Sequence, residues 1–285
     1  MDRHFDLTSK IFDEFGPEEY KTYQTYYIKE MFEVLYFPEI NKHIYDKPFG
    51  YPGDYMIMNY IIDCHDKYIG KTSYEKLINH YSCNLPFCKS NVIRKEYFSN
   101  KILKESKGNP GTKISSIGSG PVRELLALRD EKMVLNEFNC LDFEPKSFEY
   151  VKNELKKKNF INQFKINFIP INIIEVARSG LPNNIISPQN FIYFSGLFDY
   201  LSDRIARRVT ETFFETLVEN GQMIICNSSR KNKRMQSYFE VLGEWEMIYR
   251  DEADMEKFIK NIKPKEYKFE YPEKDGSYNY LVIRK

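Results

Sequence analysis

The run Ile114-Ser115-Ser116-Ile117-Gly118-Ser119-Gly120-Pro121 is the segment best suited to chemistry. A β-branched stretch that enters Gly-x-Gly and then a helix lets backbone approach a ligand closely and turns N–H groups towards it. About twenty residues on, Asp142 ends a second predicted strand, where a carboxylate can accept hydrogen bonds from both hydroxyls of a ribose. Gly118, Ser119, Gly120 and Asp142 therefore point to a ligand of nucleoside type.

The residues after the glycines narrow that ligand. A dinucleotide wants a third small residue and an uncharged helix start for its pyrophosphate. Arg123 and Glu124 stand there instead. Glu124 would repel a pyrophosphate but could pair with an ammonium group. A ligand with adenosine at one end and an amino acid at the other fits better, and S-adenosylmethionine is such a ligand. Phe143, beside Asp142, can stack on adenine or fill the core. Asn172, just past the third predicted strand, can read the adenine edge or cap the next helix. Ser195 and Gly196 end the fourth predicted strand, where a methyl donor would meet its acceptor. Second-rank acceptor contacts are Phe198, Asn227 at the end of strand five, and Arg94 on a helix. The Arg94 fork suits a carboxylate, with a surface salt bridge as its other fate. The histidines His4, His43, His65 and His80 show no metal-site spacing with the cysteines.

Two kinds of element must position these residues. The first ~110 residues read as helical. Tyr20, Tyr23, Tyr27, Met31 and Leu35 share one predicted helical face, and Tyr74, Leu77, Ile78 and Tyr81 another. Further helices are expected over 54–67 and 91–105. The turn Lys47-Pro48-Phe49-Gly50-Tyr51-Pro52-Gly53-Asp54 lies between the first and the third. Its Tyr51 and the following Tyr55 are expected to wall the reaction site, and with Ser195 they are the catalytic candidates, while Asp54 is expected to cap a helix. The cluster Lys107-Gly108-Asn109-Pro110-Gly111 marks the expected boundary between a helical N-terminal cap, 1–110, and a core, 111–285.

The core alternates strand and helix, the pattern of a parallel sheet. Strands are predicted over 113–117, 138–142, 165–170, 191–195 and 222–227. Two last strands, 267–271 and 278–284, flank Asp275-Gly276, a hairpin signal. The expected fold is thus α/β, a Rossmann-like sheet with an antiparallel C-terminal hairpin and an N-terminal helical cap.

From about Lys113 onwards the chain resembles the class I S-adenosylmethionine-dependent methyltransferases. Three blocks resemble a narrower bacterial family, named for synthesis of the extracellular factor methyl 3-hydroxypalmitate. They are Pro48-Phe49-Gly50-Tyr51-Pro52-Gly53-Asp54, Gly118-Ser119-Gly120-Pro121-Val122-Arg123-Glu124-Leu125 and Phe194-Ser195-Gly196-Leu197-Phe198-Asp199-Tyr200-Leu201-Ser202-Asp203. Glu244-Trp245 through Tyr249-Arg250 supports the same likeness. The resemblance implies S-adenosylmethionine as cofactor and methyl transfer to a small organic acceptor, such as the carboxylate of a hydroxy fatty acid. Other chemistries of the same cofactor, and a binding module without catalysis, are the alternatives. The chain departs from the class pattern at Ser116, where an acid usually precedes the first glycine. Glu124 or a cap residue would then hold the methionine amino group.

Composition sets the remaining bounds. Lys+Arg number 42 against 41 for Asp+Glu, a net charge of +1, which argues for a small-molecule partner and against a nucleic-acid binder. The 42% hydrophobic content supports a full core. Cys64, Cys83, Cys88, Cys140 and Cys226 are expected to be reduced and mostly buried. No apolar run suggests a leader or a membrane span, so a cytoplasmic location is expected. Lys156-Lys157-Lys158 and Arg230-Lys231-Asn232-Lys233-Arg234 are expected to be solvated. Nothing in the residues sets an oligomeric state.

Overall fold

The structure, a computed structural model, describes residues 1–36, 38–65, 67–107, 110–157, 164–231 and 237–285. The chain divides into two compact units, Met1–Ile93 with Arg230–Met247, and Arg94–Ser229 with Ile248–Lys285. Parts of the boundary cluster at 107–111 and of both basic clusters lie outside the described residues.

The first unit is helical: α1 (Asp2–Phe12), α2 (Pro17–Leu35), α3 (Glu39–Asp46), α4 (Tyr55–Cys64), α5 (Ser73–Cys83) and the start of α6 (Pro86–Ser106). Its buried faces match the predicted ones only in part. On α2 the buried positions are Gln24, Ile28 and Leu35, while Tyr23 is 49% exposed. On α5 they are Ile78, Asn79, Ser82 and Cys83, while Leu77 is 59% exposed. Polar residues enter these faces because each finds a partner, as burial of a polar group requires. The amide of Gln24 donates to the carbonyls of Glu240 and Val241, at 2.9 and 3.2 Å, and that of Asn79 donates to the Ile69 carbonyl. Tyr238, from a π-helical segment Ser237–Leu242, shares a 2.5 Å hydrogen bond with Ser82 and donates to Asn41 Oδ1 at 2.8 Å. Trp245 is buried edge-on against Phe87 and Phe239. The segment after strand five is therefore part of the helical unit.

The second unit holds seven strands: β1 (Lys113–Ile117), β2 (Glu137–Asp142), β3 (Lys165–Pro170), β4 (Gln189–Ser195), β5 (Leu217–Ser228), β6 (Glu266–Glu270) and β7 (Tyr278–Arg284). They form one sheet in the order β3-β2-β1-β4-β5-β7-β6. β1 to β5 run parallel, and β7 is antiparallel to both β5 and β6. The expected α/β sheet with an antiparallel C-terminal pair is what forms. Helices α7 (Arg123–Leu126), α8 (Pro145–Lys157), α9 (Ile173–Ser179), α10 (Asp203–Glu215) and α11 (Glu252–Glu256) join the strands.

The two faces of the sheet differ in chemistry. Residues opposite each other in register point to the same side. Phe194, Ile225 and Leu281 lie on the apolar side, packed with Phe198, Val209, Phe213 and Phe258. The other side carries Tyr193, Ser195, Cys226, Ser228, Tyr278 and Tyr280 near the carboxyl ends of β4 and β5. Phe98 of α6 stacks on Tyr193, and Tyr97 packs on Tyr280.

Candidate functional site

The glycine loop is built as a cradle. Gly118 and Gly120 take φ of +62° and +52°, where L side chains are strained. A Cβ on Gly118 would meet Leu197 at 3.2 Å, so that position also serves close packing. Val122 follows at φ +44°, left-handed backbone that a β-branched residue rarely takes. It caps the single turn of α7, so the ligand-facing N–H groups there belong to the loop and not to a long helix start.

Asp142 locks this loop. Its Oδ2 accepts from the Gly120 N–H at 2.7 Å and its Oδ1 from the Glu144 N–H at 2.9 Å, and Ser119 N–H donates to the Leu141 carbonyl. Burial raises the Asp142 pKa, and these backbone donors oppose the rise. Each carboxylate oxygen keeps a lone pair for a ribose hydroxyl. Ser119 Oγ is buried with no hydrogen-bond partner among the described residues, which is costly unless a ligand satisfies it. Phe143 is 58% exposed beside Asp142, a surface ring and not a core residue. Asn172 caps α9, accepting from the Ile174 N–H at 2.9 Å through Oδ1, which leaves its amide N–H groups for a base edge. Cradle, orphaned hydroxyl, acid and exposed ring together fit the adenosine and amino-acid ends of S-adenosylmethionine.

Glu124 sits under the loop, 8% exposed, and accepts from Tyr193 Oη at 2.6 Å. Burial raises its pKa, with Tyr193, Glu124's own backbone N–H, Arg94 and Arg123 pulling the other way.

Near the ends of β4 and β5 the structure sets Gly196 and Arg94, both expected, among two acids that sequence reading missed. Gly196, at φ +90°, lies where a Cβ would come within 2.8 Å of Arg94 Nη1. Arg94 is 8% exposed and its guanidinium lies 4.8 Å from the Tyr278 ring centroid, so it is not a surface residue. Asp199 is buried, accepting from Ser228 N–H at 2.6 Å and Ser228 Oγ at 3.1 Å. Burial pushes its pKa up to about 6, against the pull of Ser228, Arg94 and Arg250. Glu273, in the turn between β6 and β7, is also buried and accepts from Tyr280 Oη. The only sequence signal for these two acids was their place in a strand-end block and a hairpin turn.

Two expected acceptor contacts lie deep in the second unit. Phe198 is fully buried on the apolar side, its ring centroid 5.0 Å from that of Phe194 and 5.4 Å from that of Phe258. Asn227 is fully buried, its Nδ2 donating to the Ser228 and Ile248 carbonyls and its Oδ1 accepting from Arg250. Core packing claims the first and backbone demand the second. Ser195 is half-buried in the second unit, and Tyr51 and Tyr55 are half-buried in the first. Asp54 caps α4 as expected, its Oδ1 accepting from the N–H groups of Met56 and Ile57, and its Oδ2 lies 2.8 Å from His43 Nε2.

No protein-family profile and no curated protein matches the chain. Solved structures do. One is a protein of Bordetella parapertussis named as a possible exported protein, with 13% identity, 81% of this chain and 79% of that one covered, and a TM-score of 0.64. The pyocyanin biosynthetic protein PhzM is similar at 12% identity over 92% of this chain and 72% of its own, TM-score 0.52. The S-adenosylmethionine-dependent methyltransferase SibL is similar at 11% identity, over 90% and 72%, TM-score 0.50. The chain has the Rossmann-like fold found in class I methyltransferases. Among its described residues no helix is long and apolar enough to cross a membrane.

Proposed function

We propose that the protein is an S-adenosylmethionine-dependent methyltransferase acting on a small organic acceptor. The observation that carries this reading is the loop in which Asp142 grips Gly120 while Ser119 Oγ stays buried and unpaired. The resemblance noted above and the fold neighbours support it. Gly118, Ser119 and Gly120 would hold the methionine part, Asp142 the ribose, and Phe143 and Asn172 the adenine, with Ser195 and Gly196 beside the transferred group. Glu124 is the candidate for the methionine ammonium, and the near-zero net charge supports a small-molecule acceptor in place of nucleic acid. Tyr51 and Tyr55 are kept as acceptor contacts on their loop sequence. When bound, the cofactor supplies an electrophilic methyl group. The chain's part is alignment and exclusion of water, which suits a displacement in which charge is lost.

The resemblance favours a carboxylate acceptor such as a hydroxy fatty acid, and the sequence reading a cytoplasmic setting. Calorimetry tests the cofactor: the wild type should bind S-adenosylmethionine, and Asp142→Ala should weaken that binding by ~1.5–3 kcal/mol, the scale of hydrogen bonds to a charged group. Tight binding of NAD with none of S-adenosylmethionine would reverse the assignment. Methyl-labelled cofactor separates the reactions, since label in a second product means methyl transfer and label kept in methylthioadenosine means displacement on the methionine chain. Binding without turnover of any acceptor would favour a non-catalytic module.

A further inference from the structure

The carboxyl end of the sheet carries a buried acid that the cofactor site leaves unused. Glu273 is 2% exposed, its Oε1 accepts from Tyr280 Oη, and its Oε2 is buried with no hydrogen-bond partner among the described residues. Tyr280 stands opposite Cys226, and Cys226 opposite Ser195, so the acid hangs from the same polar sheet face and level as the end of β4. A buried carboxylate oxygen without a donor is expensive to maintain for structure alone. We infer that Glu273 is the proton acceptor of this site, and that the acceptor substrate presents an O–H or N–H group in place of a carboxylate. The inference rests on the methyl-transfer reading and replaces the carboxylate acceptor that the resemblance favours.

The balance is simple. The acceptor atom's lone pair bonds the methyl carbon, and the methyl–sulfur pair stays on the departing sulfur. The acceptor's proton moves to Glu273 Oε2, from which water removes it. A carboxylate acceptor is already ionised at neutral pH and would need no such group. The charged and titratable groups facing Glu273 are Tyr280 from β7, Arg94 and Tyr97 from α6, Cys226 from β5 and Asp275 in its own turn. Burial pushes its pKa up to about 7, opposed by Tyr280, its own backbone N–H and Arg94. A base works best when its pKa lies near the operating pH.

The test compares wild type, Glu273→Gln and Glu273→Asp with methyl-labelled S-adenosylmethionine and three acceptors: p-cresol, octylamine and decanoate. Label should enter p-cresol or octylamine, with the wild-type kcat rising through an apparent pKa near that of Glu273. Glu273→Gln should lower kcat about 100-fold or more, as for loss of a general base, and Glu273→Asp should restore part of it. Calorimetric affinity for S-adenosylmethionine should match wild type in both variants. Independently of turnover, the infrared band of protonated carboxyls that titrate near neutral pH should lose the Glu273 component in Glu273→Gln and keep that of Asp199. Label in decanoate alone, label in none of the three, an undiminished kcat or an unchanged band would each overturn the inference. A wild type that binds no S-adenosylmethionine would instead sink the methyl-transfer reading, and calorimetry shows that before any acceptor is added.

Discussion

Replacing Arg250 with Met should destabilise the second unit far more than removal of a typical arginine. Arg250 is 1% exposed. Its Nε and Nη2 donate to Asp203 Oδ1 at 3.0 and 2.8 Å, and Nη2 also donates to the Leu201 carbonyl at 2.5 Å. Nη1 donates to the Phe198 carbonyl at 2.8 Å and to Asn227 Oδ1 at 2.7 Å. Methionine fills similar volume without a donor. The carbonyls of Phe198 and Leu201 and Oδ1 of Asn227 would then each lose a buried bond, at about 1 kcal/mol apiece or more. The Asp203 side chain is 57% exposed, so water replaces most of what it loses. The sum is about 3–5 kcal/mol, which for a chain of this size is a fall of roughly 6–15 °C in Tm. The control is Arg284→Met, whose partner Glu266 is 70% exposed and whose loss should cost under ~1 kcal/mol. Urea and thermal unfolding followed by circular dichroism give both numbers. If Arg250→Met melts within about 1 °C of Arg284→Met, the claim that this guanidinium ties the end of β5 to the 198–203 segment is wrong.

Gly196→Ala should cost about 1–3 kcal/mol in unfolding free energy, because φ is +90° and the new Cβ meets Arg94 Nη1 at 2.8 Å; a neutral result would mean that Arg94 moves aside freely. Tyr238→Phe should cost about 1–2 kcal/mol through the bonds to Ser82 and Asn41, read as a lower urea midpoint, and a stabilised variant would contradict it. Asp199 and Glu273 have folded pKa values raised to about 6 and about 7, so the folded state holds their protons more tightly than the unfolded chain. Their stabilising contribution is complete below the unfolded values of 3.8 and 4.5 and is lost as pH rises through about 6 and about 7. Stability should therefore decline towards pH 8, and Glu273→Gln should flatten that decline by on the order of 1–3 kcal/mol, as urea midpoints across the range will show.

Much of the core was legible because its signals are local. Strand-length apolar runs, Gly-x-Gly with an acid at the next strand end, and Asp275-Gly276 ahead of a last β-branched run each depend on a few neighbouring residues. The sheet and its antiparallel end follow from them. The cradle at Gly118 and Gly120 was legible for the same reason, since positive φ is a preference written at the residue itself. Helical faces were less so. Periodicity ranks Tyr23 and Leu77 above Gln24 and Asn79, yet the latter are buried because distant carbonyls accept from them.

The sequence by itself determined the class of fold, the glycine loop and the strand-end acid, because backbone preference and side-chain spacing act over a few residues. Tertiary structure alone decided that 237–247 belongs with the N-terminal helices, through Tyr238 bonding Ser82 and Trp245 packing on Phe87. It alone set Phe198 in apolar packing and Asn227 in hydrogen bonds with Ile248 and Arg250. It alone brought Arg94 under Gly196 and turned a hairpin glutamate into a buried acid. The physical reason is shared: burial and electrostatics are properties of an environment assembled from residues as much as 217 positions apart, and no window along the chain contains it.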